Sequence, residues 1–205
     1  MARCETHRAA HRVAIGIVLA ALSSGCQREA GAGLPAVFSD ISLIDQDGAP
    51  LTGKALANRS LVVSFMFTSC PVVCPRQTQA LAEVRAALPA AVRERVRFVS
   101  ISVDPENDTP SALKRFAQLN HADDSGWSFV RADAVGTQLL TTRLAAFEPG
   151  SAAEPAAHGT SLYLFDRGGR LAQRYRGAPL DVSHLARELT LLDDLKPSEA
   201  RLAHN

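Results

Sequence analysis

The chain has 205 residues, 46% of them hydrophobic and 21% charged, which is enough apolar material for one sizeable core and excludes disorder throughout. Twenty-two basic residues against 21 acidic give a formal charge of +1, and no Lys/Arg cluster stands outside the first residues, so the electrostatic footprint of a nucleic-acid binder is missing.

At the N-terminus, Arg3, His7, Arg8, His11 and Arg12 precede an apolar run at 13–22 and the small residues before Cys26, the pattern of an export signal. A run of about ten apolar residues is too short to cross a ~30 Å hydrocarbon core comfortably. The stretch LSSGC is similar to a bacterial lipobox, with its leucine one place early, which would make residues 1–26 a leader and Cys26 the lipidated first residue; an uncleaved anchor is the alternative. Either reading puts the folded part in the bacterial cell envelope, on the periplasmic face of a membrane. Losing Arg3, Arg8, Arg12 and Glu5 with the leader leaves a nearly neutral chain of formal charge −1. Residues 27–35 read as a small, polar tether and 198–205 as a tail, bounding one domain at 36–197.

Within that domain, residues 36–51 alternate apolar and polar on both sides of Gln46-Asp47-Gly48, which predicts a β-hairpin extension. Residues 61–67 and 96–103 are near-continuous apolar runs, the pattern of strands buried on both faces. A helical stripe of Ala80, Leu81, Val84 and Leu88 ends at Pro89, and a second helix over 109–120 carries Thr109 as its cap with Pro110 at its first position. A short strand at 127–132 and a helix over 134–147 follow, then a hairpin from 161–166 and 170–177 and an amphipathic helix at 181–195. The order βαβα finishing ββα predicts an α/β fold with a central mixed sheet flanked by helices. A strand, a dithiol turn and a helix, with a C-terminal hairpin and helix, make that arrangement thioredoxin-like.

Cys4 falls in the leader and Cys26 at its end, so Cys70 and Cys74 are the cysteines of the domain. A domain of this size needs no staple, and so short a loop gains little from closure, which weakens the reading as a structural disulfide. Pro75 suits a first helical position, which predicts a helix starting there with Cys74 as its N-cap. Both sulfurs then face a helix N-terminus at the carboxyl end of a strand, and both thiols should ionise more readily there. Thiolates serve redox chemistry and soft-metal binding alike. A peroxidase-like thiol would need an activating arginine, for which Arg76 is the neighbour.

A third donor decides between metal and redox. His7, His11 and His204 lie in leader and tail, His121 in a polar loop, and His184 among Asp181, Arg187 and Glu188 on the last helix, where a surface role suffices. His158 stands just before the buried strand at 161–166, behind an Ala-rich stretch that reads as a mobile loop able to close its ring over the sheet edge. Two thiolates and an imidazole are a soft donor set that suits copper, Cu(I) above all, whereas structural zinc would want a fourth protein ligand.

The blocks FTSCPVVCP, VSISVDPENDTP and HGTSLYLFDRGGRL, in that order, resemble the Sco/SenC family of copper-binding thioredoxin-fold proteins across most of residues 36–195. The resemblance implies a membrane-anchored chaperone or thiol-disulfide reductase that helps build the dinuclear copper (CuA) centre of cytochrome c oxidase, with the oxidase's copper-bearing subunit or another periplasmic copper protein as partner. It carries the family's Cu(I)/Cu(II) ligands onto Cys70, Cys74 and His158. The DPxxDT block falls on Asp104, Pro105, Asp108 and Thr109; Asp104 is the candidate outer partner of the metal, and Asp108 and Thr109 read as turn and helix cap. Many members carry an acidic residue before the histidine, where this chain has Ala157. As a reductase alone, the protein would use Cys70 and Cys74 as a redox pair without need of His158.

Overall fold

The structure is a computed structural model that describes residues 35–147 and 154–194. The leader with Cys4 and Cys26, the tether to residue 34 and the tail with His204 lie outside the described residues. A 3-10 turn (Ala36–Phe38), strand β1 (Ile44–Asp45) and helix α1 (Gly53–Leu56) come first. Strand β2 (Ser60–Met66) leads to helix α2 (Val73–Ala87), and α3 (Ala90–Arg95) runs directly into β3 (Val96–Ser102). Helix α4 (Pro110–Leu119), β4 (Trp127–Arg131) and α5 (Ala134–Arg143) follow, and β5 (Leu162–Phe165), β6 (Leu171–Tyr175) and α6 (Val182–Asp194) close the fold.

One mixed sheet carries the strands in the order β1-β4-β3-β2-β5-β6, with β2, β3 and β4 parallel and the others antiparallel to their neighbours. Its two faces follow the period of two that strands impose. Val62, Met66, Phe98, Trp127, Phe129 and Leu164 pack against Leu81, Val84, Leu113, Phe116, Leu185 and Leu189 of α2, α4 and α6. Leu61, Val63, Phe65, Val99, Ile101 and Tyr163 face the other way, onto Phe38, Leu56 and Leu140. Strand β2 is buried along its whole length, which explains its continuous apolar run and fixes it as the central rail on which the two cysteines are mounted. This is the thioredoxin-like layering expected from the sequence.

Four elements differ from expectation. The N-terminal hairpin shrinks to a tight turn in which Ile44 bridges Pro50 and Gly48 takes φ +78°, because β1 pairs instead with β4. The helix after the dithiol starts at Val73, two residues before Pro75, with Val72 at the cap position. Proline is tolerated there because the first-turn N–H groups have no intrahelical partner in any case. The residues after Pro89 form the further helix α3, and α5 stops at Arg143 rather than running to Phe147.

A buried carboxylate holds the top of the rail. Asp108 is fully buried; it accepts hydrogen bonds from the Thr68 N–H at 3.1 Å, the Thr68 hydroxyl at 2.5 Å and the Ser102 hydroxyl at 2.5 Å. It thereby ties the end of β3 to the turn leading into Cys70. Helix α4 begins as expected, with the Thr109 hydroxyl accepting from the Ala112 N–H at 3.2 Å. Asp108→Ala leaves three donors unpaired and is expected to lower stability by about 3 kcal/mol; Asp108→Asn, which keeps an acceptor, should lose less. Urea unfolding of the two variants checks both values, and equal losses would contradict the clamp.

Candidate metal centre

Strand β2 ends at Met66, and the chain turns back on itself with the Cys70 N–H donating to the Phe67 carbonyl at 3.2 Å. Helix α2 has no side-chain oxygen at its cap. The sulfur of Cys70 stands in for one: it accepts from the Cys74 N–H at 3.3 Å, with the Val72 and Val73 amides also pointing at it. Burial pushes the Cys70 thiol up, but these three amides and a hydrogen bond from the Cys74 side chain outweigh it, and the thiol is held below its ordinary value.

Cys74 does not share that environment, and the expectation that both thiols are acidified fails here. It lies inside the first turn of α2, 1% exposed, rather than at the cap. Burial chiefly, then its side-chain hydrogen bond to Cys70 and the charges of Cys70 and Asp108, push its thiol up to about 12 against one favourable hydrogen bond from the Phe67 backbone. Both cysteines are free thiols, and both are buried.

His158 reaches this pair from the far side of the chain. It follows the 3-10 turn Pro155–Ala157, bridges Phe147 in antiparallel fashion, and is locked by the Gly159 N–H on the Ala146 carbonyl at 2.7 Å. Its ring stands edge-on to Phe67 at 5.8 Å. Nε2 lies 3.8 Å from Cys74 Sγ, and Nδ1 lies 2.9 Å from the Gly159 carbonyl oxygen. An oxygen acceptor there requires the proton on Nδ1, which leaves the Nε2 lone pair aimed at the sulfur, the arrangement common to metal-binding histidines. Burial lowers the His158 pKa against that one hydrogen bond, so the ring is held neutral. The expected closure of a mobile loop is therefore unnecessary for the Cys74 contact. Among the described residues no group of three His, Cys, Asp or Glu side chains is already gathered as a metal cage; the Cys70 sulfur faces the amides of α2 and the Cys74 side chain.

Asp104 is not part of this assembly. Its carboxylate takes both hydrogen bonds from the Asn107 side chain, at 2.9 and 3.0 Å, and Asp108 occupies the position beside the dithiol turn. His184 sits against Tyr175, and Arg76 is exposed and bonds neither sulfur. Gln77 was missed by sequence reasoning. Buried in α2, its amide donates to the Thr160 carbonyl at 2.7 Å and the Gly177 carbonyl at 3.4 Å, joining the dithiol helix to the strand entry next to His158. A signal existed: Gln77 lies four residues before Leu81 on the core stripe, a polar side chain where an apolar one belongs. Gly177 is the other half of this junction, since a Cβ there would stand 1.9 Å from the Thr160 oxygen.

The chain matches the SCO1/SenC family over residues 30–192. It belongs to that family. Among solved structures it is similar to a SCO1/SenC family lipoprotein from Bacillus anthracis, at 30% identity over 74% of this chain and 91% of that one, with a TM-score of 0.62. Bradyrhizobium japonicum ScoI, solved with copper bound, shares 26% identity over 74% of this chain and 96% of its own, with a TM-score of 0.61. BsSco, a member of the Sco family of cytochrome c oxidase assembly proteins in which a disulfide switch was identified, shares 25% over 76% and 92%, with a TM-score of 0.63.

The unequal sulfurs predict unequal reactivity. Iodoacetamide at neutral pH should modify Cys70 well ahead of Cys74, with the Cys70 rate rising through an apparent pKa below the ordinary thiol value of 9.0. Peptide mass mapping against time checks this, and equal rates would contradict it. Gly177→Ala should displace the Thr160 carbonyl and lower stability by about 1–3 kcal/mol, measured by thermal unfolding.

Proposed function

We propose that this protein binds copper through Cys70 Sγ, Cys74 Sγ and His158 Nε2 and delivers it, from a membrane-anchored position on the periplasmic face, to the copper-bearing subunit of cytochrome c oxidase. The observation that carries the reading is the pairing of Cys74 Sγ with His158 Nε2 at 3.8 Å while Nδ1 is committed to the Gly159 carbonyl. Two thiolates and a neutral imidazole favour Cu(I), and a further labile ligand would accommodate Cu(II). The relatives named above, one with copper bound and one from a family of oxidase assembly proteins, support the same reading. The lipobox-like LSSGC and the B. anthracis lipoprotein support an anchor at Cys26.

Metal binding must displace the Cys74 proton, because that thiol titrates near 12. Release is coupled to oxidation: if the dithiol gives up two electrons to an acceptor and closes as a disulfide, two of the three ligands vanish at once.

The asymmetry of the sulfurs favours a second reading, a thiol-disulfide reductase for a copper-site partner. The Cys70 thiolate attacks a partner disulfide and displaces one partner thiolate. Cys74, giving its proton to His158 Nε2, then attacks the Cys70 sulfur and displaces the second, leaving the Cys70–Cys74 disulfide and a reduced partner.

Cu(I) titration of the reduced protein separates the two. Cys70→Ser and Cys74→Ser should each weaken binding more than about a hundredfold, since even outer-shell partners are worth about 10-fold to 100-fold, and His158→Ala should weaken it measurably and change the Cu(II) spectrum. Full retention of copper affinity in Cys70→Ser would refute the chaperone reading. Wild-type affinity should rise by at least about tenfold per pH unit between about pH 6 and about pH 8, since the Cys74 proton must leave for each ion bound; a flat profile would contradict the assignment.

A further inference from the structure

The fold brings Arg59 beside Arg85, Arg93 and Arg97 of a nearby stretch of chain. Arg59 precedes β2, Arg85 lies in α2, Arg93 in α3 and Arg97 in β3, and together they line a pocket of about 490 Å³ with Glu94 and Asp124. It lies where β2 and β3 begin, at the Ser60–Val96 pair, whereas the cysteines follow the other end of β2. Seven residues of strand separate the two, about 20 Å.

Arg59, Arg85 and Arg97 are fixed rather than loose. Arg85 is 8% exposed, pairs with Asp124 at 2.6 Å and lies over the Phe98 ring at 5.6 Å. Arg59 donates to the Glu94 carbonyl, and Arg97 to the Ser125 carbonyl at 2.6 Å. Among the described residues, neither Arg59, Arg93 nor Arg97 has a carboxylate partner. Four guanidiniums against two carboxylates leave two positive charges in excess. Burial, then the neighbouring Arg59 and Arg85, pull the Arg97 pKa down, the mark of cations held together without enough counter-charge.

We propose that this arginine pocket binds a phosphate group. Planar forks with several N–H donors suit a tetrahedral oxyanion, and the two excess charges match a dianion. The shared chemistry has two sources, free phosphate and the headgroup of an anionic phospholipid. The second is within reach of a tethered chain, since Phe38, close behind the tether, packs on Phe165, which pairs with Leu61 at this same end of the sheet. A headgroup there would hold the dithiol end away from the membrane surface.

Trp127, the chain's one tryptophan, reports on the pocket, because its ring is 5.0 Å from the Phe98 ring that carries Arg85. The test follows Trp127 emission and the thermal midpoint of the full chain in neutral detergent. Sodium phosphate is titrated against sodium chloride of equal ionic strength, and micelles doped with phosphatidylglycerol are compared with micelles doped with phosphatidylcholine. The expected result is a saturable change in emission and a raised midpoint with phosphate, weakened about tenfold in the Arg59→Gln/Arg97→Gln variant as charge-assisted bonds are lost, with Cu(I) affinity unaltered. A response to phosphatidylglycerol but not to phosphate or phosphatidylcholine also supports the site and assigns it to a headgroup. Wild-type protein that responds to neither probe beyond its control, or a folded double variant that responds as strongly as wild type, overturns the proposal.

Discussion

The first turn of α2 presents its amides to a sulfur instead of an oxygen, and the behaviour of the site descends from that substitution. A helix begins with N–H groups that lack intrahelical partners, and Ser, Thr, Asp or Asn ordinarily supply the acceptor. Val72 cannot, so Cys70 Sγ takes the Cys74 N–H at 3.3 Å. The same contact completes the helix and stabilises the thiolate. It also explains why the turn must be held so firmly from below, by Asp108 on Thr68 and Ser102. If that turn moved, the sulfur would leave the amides and the helix would lose its cap.

One residue turn further on, the environment reverses. Cys74 is inside the core cluster with Met66 and Leu81, with a negative sulfur and a carboxylate acting on it. A thiol so placed keeps its proton until something stronger takes its lone pair. His158, neutral and with Nε2 facing that sulfur, is the available base or co-ligand. A more acidic sulfur, a protonated sulfur and an imidazole with its Nε2 lone pair free thus stand side by side. In the proposed function a soft metal would draw all three together as ligands, and an oxidant would join the two sulfurs and strand the imidazole.

Much of this could be read from residue order. The buried run at 61–67 announced β2, Thr109-Pro110 announced α4, and FTSCPVVCP with HGTSLYLF pointed through a family likeness to Cys74 and His158, which the fold brings within 3.8 Å. The parts that could not be read are those made by contacts across the chain. The start of α2 was misplaced because Pro75 looked like a beginning, when a sulfur five residues earlier was already serving as the cap. Asp104 and Asp108 are alike in sequence, and only the fold turns one toward Asn107 and buries the other beneath the dithiol turn. The distinction between Cys70 and Cys74 is likewise a matter of burial depth, which a four-residue spacing does not encode.

The central claim is that one imidazole joins two thiolates around the same ion. X-ray absorption at the copper edge of the Cu(I)-loaded wild-type protein measures that directly. The account predicts scattering from two sulfurs and one histidine nitrogen, with the imidazole signal gone in His158→Ala. A copper shell with no imidazole contribution in the wild type, or one unchanged by His158→Ala, would contradict it.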